Sequence, residues 1–352
     1  MNDVIQGFSE TLKRATADRT PLRIRGGGTK DFYGGPTIGE TLRVAAYRGI
    51  VDYEPSELVI TARCGTPLKE VEAVLAQHGQ MLPFEPPHFG SSATLGGCVA
   101  AGLSGPRRAT SGAVRDYVLG VRILDGRGTE LAFGGRVMKN VAGYDVSRLM
   151  VGSLGTLGVI LEVSLKVLPR PRTERTLRLD MDEAQAIETM NRWASTPLPI
   201  SATFYHDGLV YVRLSGAEGA IRAAQAKIGG EAIVDDAEFW ASVREHTHPF
   251  FGSGQRLWRL SVKSTTPPLQ LPGRQVIEWG GALRWLVTDA PAAEIRAAAQ
   301  RAGGHATLFR GADGTTPVFH PLPATLERIH RRLKQAFDPA GILNPGRLYP
   351  GM

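Results

Sequence analysis

The sequence predicts an α+β protein built in two unequal parts, and three observations carry that reading. Up to about residue 170, short strands and helices mix with a dense set of glycines. The pair of prolines in Pro169-Arg170-Pro171 then breaks the chain. From Thr173 to about Phe319 strands and helices alternate, as in an α+β unit with an antiparallel sheet. With 352 residues there is enough chain for two domains with real cores. The domains are read as 1–170, 171–320 and a closing segment, 321–352, that returns to the first.

Met1 to Ala17 has the periodicity of an amphipathic helix, and Asp3 and Glu10 argue against a secretory signal. Leu22 to Arg25 is a short strand running into Gly26-Gly27-Gly28. Leu58 to Arg63 is a strand, and Pro67 to His78 follows as a helix with proline in its first turn. Gly90 to Gly112 carries six glycines among small residues, too little side chain for a core but suited to close backbone approach. Val118 to Leu124 and Glu130 to Phe133 read as strands joined through an Asp125-Gly126 turn, and Val159 to Leu168 as a further strand. In the second part, strands are expected at 176–179, 201–205, 209–214, 257–262, 283–287 and 305–309. Helices are expected at 183–194, 217–228 and 292–302, with His206-Asp207-Gly208 as a hairpin turn. Pro321 to Phe337 is a closing helix before an extended tail.

Hydrophobic residues make up 42% of the chain, and no apolar run approaches the roughly 18 residues of a membrane span. The expected compartment is the cytoplasm, with the inner face of the cytoplasmic membrane reached only through partners. Cys64 and Cys98 are the two cysteines, so no disulfide framework, iron–sulfur set or zinc knuckle is expected from this chain. The formal charge of +7 comes mostly from arginine, which suits phosphate and carboxylate partners. The basic residues are scattered, without a basic run or interleaved aromatics, so nucleic acid is not an expected partner.

Gly26-Gly27-Gly28-Thr29 follows a strand, where successive amides can turn toward one anion; a plain flexible turn explains the residues alone as well. The chain has no Gly-Lys dipeptide, so a P-loop is excluded. The Rossmann spacing is missing too, since Gly152-Ser153-Leu154-Gly155-Thr156-Leu157-Gly158 is spaced differently. The set as a whole is more specific. Arg23 to Thr29 resembles the first flavin loop of the vanillyl-alcohol oxidase / PCMH-type FAD-binding family. Ala93-Thr94-Leu95-Gly96-Gly97, followed by Gly105 and Gly112, resembles its second loop. Lys139 to Asp145 and Gly152 to Ile160 are similar to the strand and turn that follow, and Phe337 to Gly346 to the closing signature. The resemblance covers Pro21 to Pro171 and His330 to Tyr349. It implies a two-subdomain PCMH-type FAD-binding domain with a smaller α+β cap. Within that family, Leu103-Ser104-Gly105-Pro106-Arg107-Arg108, Val114 to Gly120 and Leu154 resemble the smaller FAD-binding subunits of glycolate oxidases.

The resemblance assigns the cofactor contacts to Arg25, Gly26, Gly27, Gly28, Thr29, Thr94, Leu95, Gly96, Gly97, Ser104, Gly105, Gly112, Val159, Ile160 and Asn344. Covalent members of the family have a histidine directly after the first glycine loop. Thr29 stands there, without a ring nitrogen to link, so non-covalent FAD is expected. Dehydrogenases of this fold carry a cap motif of closely placed histidines. Here that motif is absent, and His206, His246-Thr247-His248, His305, His320 and His330 are the residues left to consider. No catalytic residue is assigned and no metal is expected. The implied function is oxidation of glycolate, and of D-lactate, to the 2-oxo acid with electrons passed to a partner. The implied partners are a larger FAD-binding glycolate oxidase subunit and an iron–sulfur subunit. Three readings stay open: a redox-active subunit of a complex, a self-sufficient oxidase of a small hydroxy acid, and a non-catalytic flavin-bearing assembly subunit.

Overall fold

The computed structural model describes residues 2–135, 145–252 and 254–352. The first part opens with α1 (Asn2–Asp18), β1 (Leu22–Arg25), β2 (Glu40–Arg43), β3 (Ile50–Glu54), β4 (Val59–Arg63), α2 (Leu68–Gln77) and β5 (Gln80–Met81). It continues with α3 (Leu95–Ala101), α4 (Arg108–Ser111), β6 (Val118–Leu124), β7 (Glu130–Gly134), α5 (Val146–Leu149), β8 (Val159–Lys166) and β9 (Leu168–Pro169). β1 and β2 form a parallel pair, while a five-stranded sheet runs β3–β4–β8–β6–β7. β8 sits at the centre of that sheet. Seven of its eight side chains are buried, as expected for a strand covered on both faces. α3 and α2 pack near it, so the core gathers Leu68, Val71, Leu95, Val99, Leu161 and Val163.

The second part holds β10 (Thr173–Asp180), α6 (Glu183–Ala194), β11 (Ile200–His206), β12 (Leu209–Gly216), α7 (Glu218–Ile228), β13 (Glu231–Ala232) and α8 (Asp236–Glu245). β14 (Leu257–Ser261), β15 (Arg274–Glu278), β16 (Leu283–Val287), α9 (Ala292–Arg301) and β17 (His305–Arg310) complete it. These strands make one antiparallel sheet in the order β13–β10–β12–β11–β15–β16–β14–β17. Helices α6, α7 and α9 cover one face, and the other face turns toward the first part through Phe204, Trp279, Trp285 and Phe309. The β11–β12 hairpin turns at Asp207 and Gly208 with φ of 55° and 79°, the left-handed pair of a type I′ turn.

The chain then returns. α10 (Ala324–Phe337) leads to a segment in which Leu343 bridges to Leu22 and Asn344 N–H donates to Leu22 O at 2.9 Å. Some details differ from the sequence reading. The Asp125-Gly126 turn is a five-residue loop, because Asp125 Oδ1 accepts from the amides of Arg127 and Thr129, each at 2.9 Å. The closing helix begins at Ala324 behind Pro323, not at Pro321. Trp240, Phe250 and Phe251 are core residues. Lys139 to Tyr144 of the quoted motif lies outside the described residues.

Candidate cofactor site

Where β1 ends, the chain is forced against the second glycine loop. A Cβ on Gly27 would lie 1.6 Å from Ser92 O, and one on Gly96 would lie 2.6 Å from Cys64 Cβ. Only a residue without a side chain lets these backbones meet. The approach is locked by Ser92 Oγ–H, which donates to Gly27 O at 2.9 Å, and by Thr94, whose Oγ1 caps α3 by accepting from Gly97 N–H at 3.2 Å. Between the loops runs a cleft of about 810 Å³. Its walls bring together Arg25, Gly26, Gly27, Gly28, Thr29, Thr94, Gly96, Gly97, Ile160 and Asn344.

The cleft fits a pyrophosphate-bearing dinucleotide such as FAD on the chemistry of its donors. Among the described residues the amides of Gly27, Gly28 and Thr29 have no protein acceptor. An anion would satisfy several of them at once. The second loop contributes differently. Gly96 N–H is spent on Cys64 O at 2.8 Å and Gly97 N–H on Thr94 Oγ1, so these glycines give close approach rather than free donors. Arg25 and Arg23 flank the first loop, and both pair with Asp31, at 2.8 and 2.6 Å.

Asn344 closes the cleft from the far end of the chain. Its Oδ1 accepts from Ile24 N–H at 2.8 Å, and its Nδ2 donates to Leu154 O at 2.6 Å. Both polar ends are thus committed to protein. Leu95 and Val159 are core residues beneath the cleft. Ser104 and Gly105 lie instead against the cap: Ser104 Oγ accepts from Val114 N–H and Gly105 O accepts from Trp279 Nε1–H. Gly112 ends α4, and its Cβ position would face Asp116.

The sequence reading missed Lys30 and Arg347 in the cleft wall. Arg347 is buried and donates to the carbonyls of Gly35, Lys30 and Asp31, at 2.6, 3.2 and 3.0 Å, tying the tail to the turn after the first loop. Burial pushes the Lys30 amine below its ordinary value. The only available signal was their place, one residue past the first loop and one past the closing signature.

Where cap and first part meet, rings fill the space. His246 stacks on Phe251 at 4.0 Å and meets Trp285, Phe89 and Phe309 at 4.6, 5.1 and 5.3 Å. Burial, with Arg310 and Arg259 nearby, holds His246 well below its ordinary range, so it is neutral. Burial also pushes the Glu278 carboxyl up to about 7, although Trp285 Nε1–H donates to it at 2.7 Å. His206 and His248 lie 5.5 Å apart, ring to ring. Among the described residues no three His, Cys, Asp or Glu side chains cluster to hold a metal ion. His320 Nδ1 accepts from Ala306 N–H, and His330 packs on Tyr349; neither lines the cleft. Arg107 is not a free anion-binding group: it pairs with Glu85 and Glu174. Cys64 and Cys98 are buried free thiols, each pushed up to about 12 by burial.

Comparison with known proteins agrees with this geometry. Residues 5–134 match the family model of an FAD binding domain, and residues 323–348 that of the FAD linked oxidases, C-terminal domain. The chain is therefore an FAD-linked oxidoreductase. It is 52% identical to the glycolate oxidase subunit GlcE of Escherichia coli (strain K12), over 99% of this chain and 98% of that one. The chain belongs to the family of that subunit. More distant relatives include the glycolate oxidase subunit GlcD of Bacillus subtilis (strain 168), 33% identical over 48% of this chain and 36% of that protein. The D-lactate dehydrogenase of Archaeoglobus fulgidus is 30% identical over 62% of this chain and 50% of that protein. The fold also matches a solved structure of alkyldihydroxyacetonephosphate synthase with a TM-score of 0.67, at 15% identity, over 96% of this chain and 74% of that one.

Proposed function

We propose that this chain is the smaller FAD-carrying subunit of a complex that oxidises glycolate, and D-lactate with it, to the 2-oxo acid. Its flavin would be held without a covalent bond, and electrons would pass within the complex rather than to a nicotinamide. The proposed partners are a larger FAD-binding subunit, which takes hydrogen from the hydroxy acid, and an iron–sulfur subunit that carries electrons onward. The chain works in the cytoplasm, and any attachment to the inner face of the membrane runs through those partners. Among the described residues no helix is long and apolar enough to cross a membrane.

Gly26, Gly27, Gly28 and Thr29 would hold the pyrophosphate through backbone donors. Gly96 and Gly97 let the second loop close on it, and Ile160 and Asn344 bound the cleft. When bound, FAD supplies two-electron acceptance. Oxidation of glycolate to glyoxylate releases two electrons and two protons, and it needs a base beside the hydroxyl. The observation that supports leaving this step to the partner is the aromatic packing where cap and first part meet. The neutral histidine there, His246, is packed among Phe89, Phe251, Trp285 and Phe309. The test is the anaerobic visible spectrum of the FAD-loaded chain with glycolate. No bleaching of the chain alone, and bleaching once the larger and iron–sulfur subunits are added, is the expected result. Bleaching of the chain alone would overturn the division of labour. A flavin that never bleaches while the complex turns over would make this cofactor structural.

A further inference from the structure

Beside His246, the joint between cap and first part leaves a cavity of about 330 Å³, at the small end for ligand pockets. It shares no lining residue with the cofactor cleft. Phe89, Leu103 and Trp285 give it an apolar wall, and Arg259 and Glu278 bring charge to it. Arg259 stands on β14, its guanidinium carbon 5.1 Å from the centre of the Trp279 ring. Among the described residues that guanidinium has no hydrogen bond and no ion pair. Glu278 makes no ion pair with it and is tied instead to Trp285 Nε1–H at 2.7 Å. A second polar group is left over: His246 also lines the cavity, and its buried Nδ1 has no hydrogen-bond partner among the described residues. The surroundings add to the positive charge. Arg108 lies 4.5 Å from the same Trp279 ring, and Arg310 lies 4.8 and 5.0 Å from the rings of Phe32 and Phe89. Neither side chain has a hydrogen bond or ion pair among the described residues. Burial pushes the Arg259 guanidinium below its ordinary value. A ring face offsets only part of what a guanidinium loses when its N–H donors leave water unmet. An anion in the cavity would meet them.

We infer that this cavity binds a small 2-hydroxy or 2-oxo monocarboxylate, with the carboxylate on the Arg259 fork. A guanidinium offers a carboxylate two parallel N–H groups. The unpaired His246 Nδ1 suits one further oxygen on the ligand. In one tautomer it accepts from a hydroxyl, and in the other it donates to an oxo group. A second carboxylate has no partner here, because Arg244, the other cation in the lining, is committed to Glu245 at 2.8 Å. The volume and the apolar wall suit an acid of two or three carbons. Such a site goes beyond the reading above: it needs only binding on this chain, whichever subunit oxidises the acid.

The test is titration of the FAD-loaded full chain with glycolate, glyoxylate and acetate, read by tryptophan fluorescence and by Tm. Trp279 and Trp285 make fluorescence a local probe, since one stacks on Arg259 and the other lines the cavity. Wild type should give a saturable change and a higher Tm with glycolate or glyoxylate. Acetate, which lacks the C2 oxygen, should bind about tenfold more weakly. Tighter glycolate would mark a site for the hydroxy acid, and tighter glyoxylate a site for its oxidised product. Arg259→Met should weaken binding by about tenfold or more, and Arg259→Lys should fall between, because an ammonium keeps the charge without the fork. Without acid, Arg259→Met should load FAD as wild type does and melt no lower, since the cation it removes has no partner. A wild-type chain that does not respond to these acids would overturn the inference, as would an Arg259→Met chain that binds them undiminished. A fall in the Tm of Arg259→Met without acid would also overturn it, because the guanidinium would then serve the fold. Bleaching of the flavin by glycolate in the same titration would sink the division of labour proposed above and leave this site standing.

Discussion

A single methyl group tests the first glycine loop. In Gly27→Ala the new Cβ would fall inside Ser92 O, so one of the two loops must retreat from the cleft. Overpacking of this kind costs about 1–3 kcal/mol. FAD affinity, read by titrating flavin fluorescence, is expected to drop by about tenfold or more. Gly7→Ala is the control, because nothing lies within 4 Å of its Cβ position and it sits inside α1. That change should stabilise the chain by about 0.5–1 kcal/mol and leave FAD affinity alone. Equal affinity for both variants would mean that the loops need not touch. Glu278 gives a residue-level pH dependence. Its folded-state value of about 7 lies above the ordinary 4.5. Between those values the native chain holds the extra proton, so its contribution is full below the lower value and is lost as pH rises through the upper one. The size is about 3 kcal/mol. Glu278→Gln should therefore gain stability over wild type at pH 8 relative to pH 5, read from urea midpoints. A difference that is the same at both pH values would refute the raised carboxyl. The site was legible at this scale wherever a residue carries its own constraint, as the glycines and Thr29 do. Arg347 and Lys30 were not legible, because they owe their place to contacts with chain more than 50 residues away.

Elements were readable where the local signal and the tertiary contact agree. The β11–β12 hairpin is an example, since Asp207-Gly208 supplies the left-handed turn and both strands alternate. β2 carries no such signal: it is Glu40-Thr41-Leu42-Arg43, mostly exposed, and exists because β1 pairs with it in parallel. β15 follows a stretch with three prolines and a glycine, Pro267 to Gly273, that reads as loop, yet β16 and β11 hold it on both sides. α10 was readable as a helix, but its orientation was not. Periodicity would bury all of its apolar side chains, whereas the structure packs only Leu333 and Phe337 partly against the core, leaves Leu326 and Ile329 exposed and buries Lys334 against Asp338 and two carbonyls. Asp338 in turn accepts from the amides of Ile342 and Leu343, so the lysine holds the start of the closing segment. Lys334→Ala would leave a buried carboxylate without its cation, which costs about 3–5 kcal/mol. A fall in Tm with slower recovery of FAD binding is the expected outcome, since Asn344 lies one residue beyond the pinned stretch. A variant within about 1 kcal/mol of wild type would show that the ion pair merely breaks even there.

On the scale of the molecule, the question is what keeps the cap in register with the cofactor domain. The aromatic wall supplies area, but rings slide. The directional contact is an ionic cluster across the joint, where Glu85 and Arg107 from the first part meet Arg213 and Glu174 from the cap. Glu85 accepts from Arg213 at 2.9 Å and from Arg107 at 3.3 Å, and it also takes the Arg107 amide at 3.0 Å. Burial alone would raise the Glu85 carboxyl, but the two guanidinium groups outweigh it and hold it below its ordinary value. Both arginines are buried, so removal of Glu85 strands two charges with only Glu174 between them. Glu85→Ala is expected to cost about 3–5 kcal/mol. The loss should appear as uncoupling: a single thermal transition splitting in two, and trypsin cutting at Arg170 or Arg172, where the chain crosses between the parts. Glu85→Gln keeps the shape without the charge and should fall between Ala and wild type. If Glu85→Ala unfolds in one transition with the wild-type digestion pattern, the aromatic wall alone sets the register of cap and cofactor domain.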